Sequence, residues 1–239
     1  MAAVASAEHF TVTQVAHGEQ LKSGVVHLAH AMRKYGLAPN KNITTAENAA
    51  LAHGSVVTTP QQFDREYLTP VKVGAQTLML DFDTGSSDLW VFSTEQPAAQ
   101  QAGHTAFKCS APLVGGATWQ IKYGDGTTAG GNVKKAAVSI GGLTVAGQEV
   151  ECAKHVAAQF VKDKNLDGLL GLGFDNINQV RPNPAKTWFT NIKPKLDAPV
   201  FAANLKHQAP GTYDFGFIDS SKYTGNIAYT AVDPSEGYW

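Results

Sequence analysis

The chain of 239 residues carries 19 basic and 20 acidic side chains, a formal balance of −1, with 43% apolar and 16% charged residues. That length can bury a sizeable core as one large domain or two modest ones, and the near-neutral balance offers nothing to recruit nucleic acid or an anionic membrane surface. No apolar run reaches the ~18–20 residues of a membrane-spanning helix. The two cysteines, Cys109 and Cys152, fit no metal-type spacing, which argues against a zinc site. Their separation leaves one disulfide or two free thiols open and favours free thiols.

The opening MAAVASAEHF is small and apolar but lacks a positive n-region and a long h-region, so it is not a complete signal peptide, and export stays open. FTVTQV, Phe10 to Val15, alternates as a strand does. EQLKSGVVHLAHAMRKYG then sets Val25, Leu28, Ala29 and Met32 on one helical face, closed by Gly36. His9, His17, His27 and His30 lie in this region with Arg33, Lys34 and Lys41. NKNITTAENAALAHGS is polar and small, as linkers are. Within it, Asn42-Ile43-Thr44 is a glycosylation triplet if the chain is exported.

From about Val56 the texture changes to short alternating runs punctuated by Gly, Asn, Asp and Pro: YLTPVKVG, QTLMLDF, TWQIKYGDG, KKAAVSIGGLTVAG, TYDFGFI and NIAYTAV. The clearest helical signal is PAKTWFTNIKPKL. Such spacing predicts an all-β, or mainly β, body. No repeat of about 20–50 residues suggests a propeller or solenoid.

Chemistry concentrates in DFDTGSSDLW, Asp81 to Trp90, where three carboxylates crowd a sparsely charged chain. The alternating run before it delivers Asp83 at the end of an apolar strand, and Thr84-Gly85-Ser86 must turn sharply, which holds the carboxylate in place. WQIKYGDGTTAGG reads as a hairpin with a glycine-rich tip. DGLLGLG, beginning at Asp167, is apolar, glycine-spaced and too short for an ordinary core helix. Metallo, serine and cysteine hydrolase patterns such as HExxH and GxSxG are absent, and no metal or cofactor is implied. His104, His155 and His207 are scattered and read as surface or packing residues.

In this order the three motifs resemble the pepsin-like aspartic endopeptidases. The matches are Asp83-Thr84-Gly85-Ser86-Ser87 with Leu89-Trp90, Tyr123-Gly124, and Asp167 to Gly173. The fungal secreted branch, of the aspergillopepsin and penicillopepsin type, is similar in TTPQQFDREYLTPVKVG, APGTYDFGFID and YTGNIAYTAVD. The resemblance implies a pepsin-like acid protease fold: an amino-terminal lobe with part of the interlobe sheet, preceded by a partly helical prosegment. It implies residues 1–50 as prosegment, 51–225 as catalytic lobe and 226–239 as the start of a connection to a carboxy-terminal lobe. It also implies a zymogen that is secreted or vacuolar and acts on peptides or proteins at acid pH, with no nucleic-acid or membrane partner.

By the same resemblance Asp83 is catalytic, Thr84, Gly85 and Ser86 hold its loop, and Trp90 backs the flap residues Tyr123, Gly124 and Asp125. Phe160, Leu166 and Leu169 match an apolar substrate pocket, and Asp81 borders the cleft. Asp88 reads as an exposed turn residue. Lys34 and Tyr35 match the element that blocks the site in the zymogen. An acid at Asp125 matches fungal enzymes that accept lysine before the scissile bond, although a cap on the hairpin tip would use the same residue.

Hydrolysis by carboxyl groups needs two of them sharing a proton around one water. Asp-Thr-Gly occurs once. Asp81 and Asp88 are too near Asp83 to face it from another lobe, and Asp219-Ser220-Ser221 lacks the glycine that the tight turn needs. The second acid is therefore expected from a carboxy-terminal lobe or from a second copy, and the alternative is a catalytically incomplete peptide-binding pseudoprotease.

Overall fold

The structure is a computed structural model that describes residues 28, 31–32, 34–43, 52–237 and 239. The chain divides into two compact units, Met1–Ala50 and Leu51–Trp239. In the first, Leu28, Ala31, Met32 and Lys34 are helical. The Tyr35 and Leu37 N–H groups donate back to Ala31 and Met32, and Gly36 takes φ 73°, the left-handed turn that ends many helices. Asn40 caps the next turn, its Oδ1 accepting from the Ile43 N–H at 3.0 Å, and Asn42 beside it is exposed. The expected strand at 10–15, the four histidines, Arg33 and the linker after Ile43 to residue 51 lie outside the described residues.

The second unit is built on eleven strands: β1 (Gly54–Pro60), β2 (Tyr67–Val73), β3 (Gln76–Asp83), β4 (Leu89–Val91), β5 (Leu113–Lys122), β6 (Thr128–Ile140), β7 (Leu143–Val156), β8 (Gly168–Gly171), β9 (Val180–Arg181), β10 (Phe201–Lys206) and β11 (Ala209–Phe215). Their order is β10-β11-β1-β2-β3-β8-β4-β7-β6-β5-β9, with β2 also pairing β6. That last pairing joins β2, β3, β8, β4, β7 and β6 into a closed ring, which removes their free edges. β1 belongs to both sides of the sheet, pairing β11 through Gly54–Thr58 and β2 through Thr59–Pro60.

Local sequence explains the strand ends. Gly141-Gly142 takes φ 55° and 89°, the two left-handed positions of the tight turn between β6 and β7. Along β3, Leu78, Leu80 and Phe82 are buried while Met79, Asp81 and Asp83 are half-buried on the other face, as period-two alternation requires. One apolar cluster includes Leu78, Leu80, Phe82, Trp188 and Phe215; a second includes Leu68, Trp90, Trp119, Leu166 and Leu169. The expected helix forms at Trp188–Ile192, where Thr187 caps the Thr190 N–H and Trp188, Phe189 and Ile192 are buried. β3 thus runs between two cores.

Two expectations are corrected. NIAYTAV forms no strand: residues 226–232 are exposed and pair with nothing among the described residues. Alternation suits a strand, but a strand also needs a neighbour to take its N–H and C=O groups. Cys109 and Cys152 are not free thiols but form a disulfide, with Cα atoms 6.4 Å apart. Folding places the loop before β5 against the middle of β7, a proximity that sequence separation does not report. Replacing both cysteines with alanine should cost about 2–4 kcal/mol, read from denaturant unfolding of the oxidised parent and the variant. A change within error would mean that the bond constrains little.

Candidate active site

Asp83 ends β3, on the same face as Asp81. Its Oδ1 accepts from the Gly85 N–H at 2.8 Å, so the turn that follows holds the carboxylate. Thr84 and Gly85 are exposed, whereas Ser86, Ser87 and Asp88 are buried. The Ser86 hydroxyl is buried without a hydrogen-bond partner among the described residues, so the backbone, and not Ser86, contacts Asp83 here.

The loop is gripped from beneath. β8 lies parallel to β3, with Asp83 opposite Gly171. The N–H groups of Leu172, Gly171 and Gly173 donate to the carbonyls of Asp83, Asp88 and Ser86 at 2.7, 2.9 and 2.8 Å. A Cβ on Gly171 would lie 2.5 Å from Ser87 Cα and 2.6 Å from Asp88 N, so only glycine permits the approach. The glycine spacing of DGLLGLG is a close-packing requirement, and the segment is a buried strand.

The flap hairpin joins β5 and β6. Tyr123 N–H donates to the Thr127 carbonyl at 2.9 Å, and the Trp90 indole donates to the Tyr123 hydroxyl at 2.8 Å. Phe160 packs edge-on against both rings, 5.0 Å from Trp90 and 5.8 Å from Tyr123. Leu166 and Leu169 are buried in the same cluster. Trp90, Tyr123, Phe160 and Leu169 therefore come together in one cluster. Gly124 and Asp125 are exposed at the tip. Asp125 Oδ1 accepts from the Thr127 hydroxyl at 2.7 Å and N–H at 2.9 Å, bonds that hold its carboxyl below the usual range.

Burial governs the other acids. Asp81 is pushed up to about 6, mainly by burial, with Asp83 and Asp163 adding negative charge and N–H groups of Tyr67 and Phe82 opposing. It is neutral through most of the acid range. Glu66 is raised by burial and then by its hydrogen bond to Asp163 and the charges of Asp163 and Asp81. Glu66 and Asp163 line a pocket together with Phe63 and Gln159.

Asp88 is not an exposed turn residue; it is fully buried. Its Oδ1 accepts from the Gln179 N–H at 2.9 Å and from the Asn178 amide at 3.3 Å, and that amide also reaches Glu151 Oε1 at 3.2 Å. Burial raises Asp88 to about 6 and raises Glu151 well above the ordinary value, each carboxyl also feeling the other. Burial thus favours the protonated forms of this pair beneath the loop that follows β3. Sequence reading missed Glu151, Asn178, Glu66 and Asp163. For Glu151 a signal existed: it stands between Val150 and Cys152 in an apolar run, where an unpaired charge is costly.

The sequence profile described as Eukaryotic aspartyl protease matches residues 66–239. The chain belongs to this family. It is 54% identical over 213 residues to Aspergillopepsin-1 of Emericella nidulans, covering 88% of this chain and 54% of that protein. Aspergillopepsin-1 of Aspergillus fumigatus is 52% identical over 235 residues, 96% of this chain and 58% of the relative. Penicillopepsin-1 of Penicillium rubens is 53% identical over 213 residues, with 88% and 53% covered. The crystal structure of the aspartic proteinase from Irpex lacteus matches with TM-score 0.61 at 25% identity, over 78% of this chain and 55% of that one. The chain thus spans a little over half the length of these relatives.

In this member of the family the buried pair predicts how stability follows pH. A carboxyl whose folded value is raised binds its proton more tightly in the folded state, so its contribution is complete below the unfolded value. For Asp88 that contribution is full below 3.8 and is lost as pH rises through about 6. Glu151→Gln keeps the hydrogen bonding without the second titration. It should recover about 1–3 kcal/mol near neutrality and change little near pH ~4, by thermal unfolding across that range. Parallel stability curves for parent and variant would contradict this account.

Proposed function

We propose that the chain supplies Asp83 as one of the two aspartates of an acid-acting endopeptidase that hydrolyses peptide bonds through a shared water. The observation that carries this reading is the held carboxylate of Asp83, on the open face of β3, with the Trp90-bonded Tyr123 on the flap. One ionised carboxyl takes the proton of the water while its protonated partner polarises the scissile carbonyl. Asp81, neutral in acid, borders the site without adding a competing charge. Phe160 and Leu169 offer an apolar wall to the substrate side chain, and Asp125 offers an anion at the flap tip. The second aspartate comes from a carboxy-terminal lobe or from a second copy.

The test is hydrolysis of a peptide at acid pH by the purified chain, with and without a statine-type transition-state inhibitor, alongside Asp83→Asn. Activity lost to both, by about 10³-fold or more in the variant, is the expected outcome. A second reading is a peptide-binding pseudoprotease that keeps the cleft and flap without hydrolysis. Peptide binding that survives Asp83→Asn without any hydrolysis would select it.

Residues 1–50 act in this reading as an inhibitory prosegment of an exported zymogen, with Lys34 and Tyr35 as its inhibitory residues and Asn42 open to glycosylation. Lys34 Nζ stands 5.8 Å from the Tyr35 ring centroid, just ahead of the turn at Gly36. An ammonium favours ionised carboxylates, and protonating them removes the attraction. Incubation between about pH 3 and 4 should release the prosegment, detected as a mass loss of the intact chain. A first unit that stays attached and uncleaved in acid would defeat this part of the reading.

A further inference from the structure

His104 stands just after the short helix Ala98–Gln101, half-buried, and both of its ring nitrogens meet main-chain carbonyl oxygens. Nδ1 lies 2.7 Å from the Leu166 oxygen and Nε2 lies 3.2 Å from the Val161 oxygen. Carbonyl oxygens only accept. A neutral imidazole has a single N–H, so one of these two contacts would set lone pair against lone pair; only the imidazolium donates to both. The ring also lies flat on Phe92, with centroids 3.7 Å apart and planes 9° from parallel, a face that attracts a cation.

The two carbonyls belong to the segment that carries the apolar wall. Val161 sits in the helix Ala158–Lys162, whose last carbonyls lack intrahelical donors. Phe160 in that helix packs on Trp90 and Tyr123, and Leu166 lies in the same cluster. The charged groups around the ring are few. Asp167 follows Leu166 and is held by the N–H groups of Thr105 and Met79 at 2.6 and 2.9 Å. Lys164 donates to the Ala102 carbonyl at 2.6 Å and packs at Gly103, and Asp163 and Lys162 end the helix. From the β4 side the neighbour is the uncharged Phe92.

We propose that His104 is a positioning residue that works as an imidazolium: in acid it bridges the Val161 and Leu166 carbonyls and fastens Phe160 against Trp90 and Tyr123. When the imidazole loses its proton, one bridge becomes repulsive and the wall of the cleft is held by packing alone. The proton on the ring thereby sets the rigidity of the pocket wall. The idea rests on reading Phe160 as a wall of the peptide cleft.

The experiment uses the full chain labelled with ¹⁵N-histidine, with the His104 ring signals assigned by their loss in His104→Gln. At pH ~4 both ring nitrogens should carry protons and show bonded N–H correlations, and near pH ~7.5 one proton should be gone. Hydrogen exchange of residues 157–167 supplies the second arm. At pH ~4 the segment should exchange about tenfold faster in His104→Gln than in the parent, and the difference should shrink near neutrality. A single ring proton in acid, or equal exchange in parent and variant at pH ~4, overturns the proposal. If the variant does not fold, the loss of one ring proton in the parent, and looser exchange of 157–167 once it is gone, decide alone. Neither arm depends on proteolysis, so a chain that cleaves nothing leaves both readings interpretable.

Discussion

Everything at the site depends on how closely β8 can approach the loop that follows β3. Three main-chain hydrogen bonds from Gly171, Leu172 and Gly173 reach the carbonyls of Asp88, Asp83 and Ser86, and they form only because Gly171 has no side chain to hold the strands apart. Buried main-chain groups must find partners, and here each partner lies in the segment from Asp83 to Asp88. The position of the Asp83 carboxylate is therefore set by backbone contacts, while its own carboxyl is engaged among the described residues by the Gly85 N–H. Such a carboxyl keeps lone pairs free for a water or a second acid.

Around that fixed point, burial sorts chemically identical groups into different tasks. Asp83 lies half-buried at the open face, and Asp81 is half-buried beside it and neutral in acid. Asp88 lies underneath, sharing its surroundings with Glu151 and the Asn178 amide. These carboxyls stand within a few residues or one strand of each other, yet Asp81 and Asp83 are half-buried while Asp88 and Glu151 are wholly enclosed. Desolvation supplies the difference, since the charged form of a carboxyl is penalised wherever water is excluded.

The mainly β architecture was legible because alternation and glycine turns act locally: QTLMLDF, YLTPVKVG and KKAAVSIGGLTVAG each form the strands they suggest. The grouping of Trp90, Tyr123, Phe160 and Leu169 was legible through resemblance, since no local signal joins residues so far apart. What escaped was set by tertiary packing. Asp88 reads as a turn residue until the chain folds Gln179 and Asn178 over it. NIAYTAV alternates like its neighbours but has no strand beside it, and periodicity reports a preference without reporting a partner. The cysteines are separated by 43 positions in sequence and brought together by β7.

That covalent link has a meaning beyond geometry. The half-cystines at Cys109 and Cys152 are both buried, and one of them lies in β7, within its long pairing with β6. Bonds of this kind persist where the surroundings are oxidising and are rare where thioredoxin and glutathione keep thiols reduced. The redox poise of the compartment in which the chain folds thus decides whether this link forms. A host chosen to make it should be judged on redox poise before codon usage or temperature.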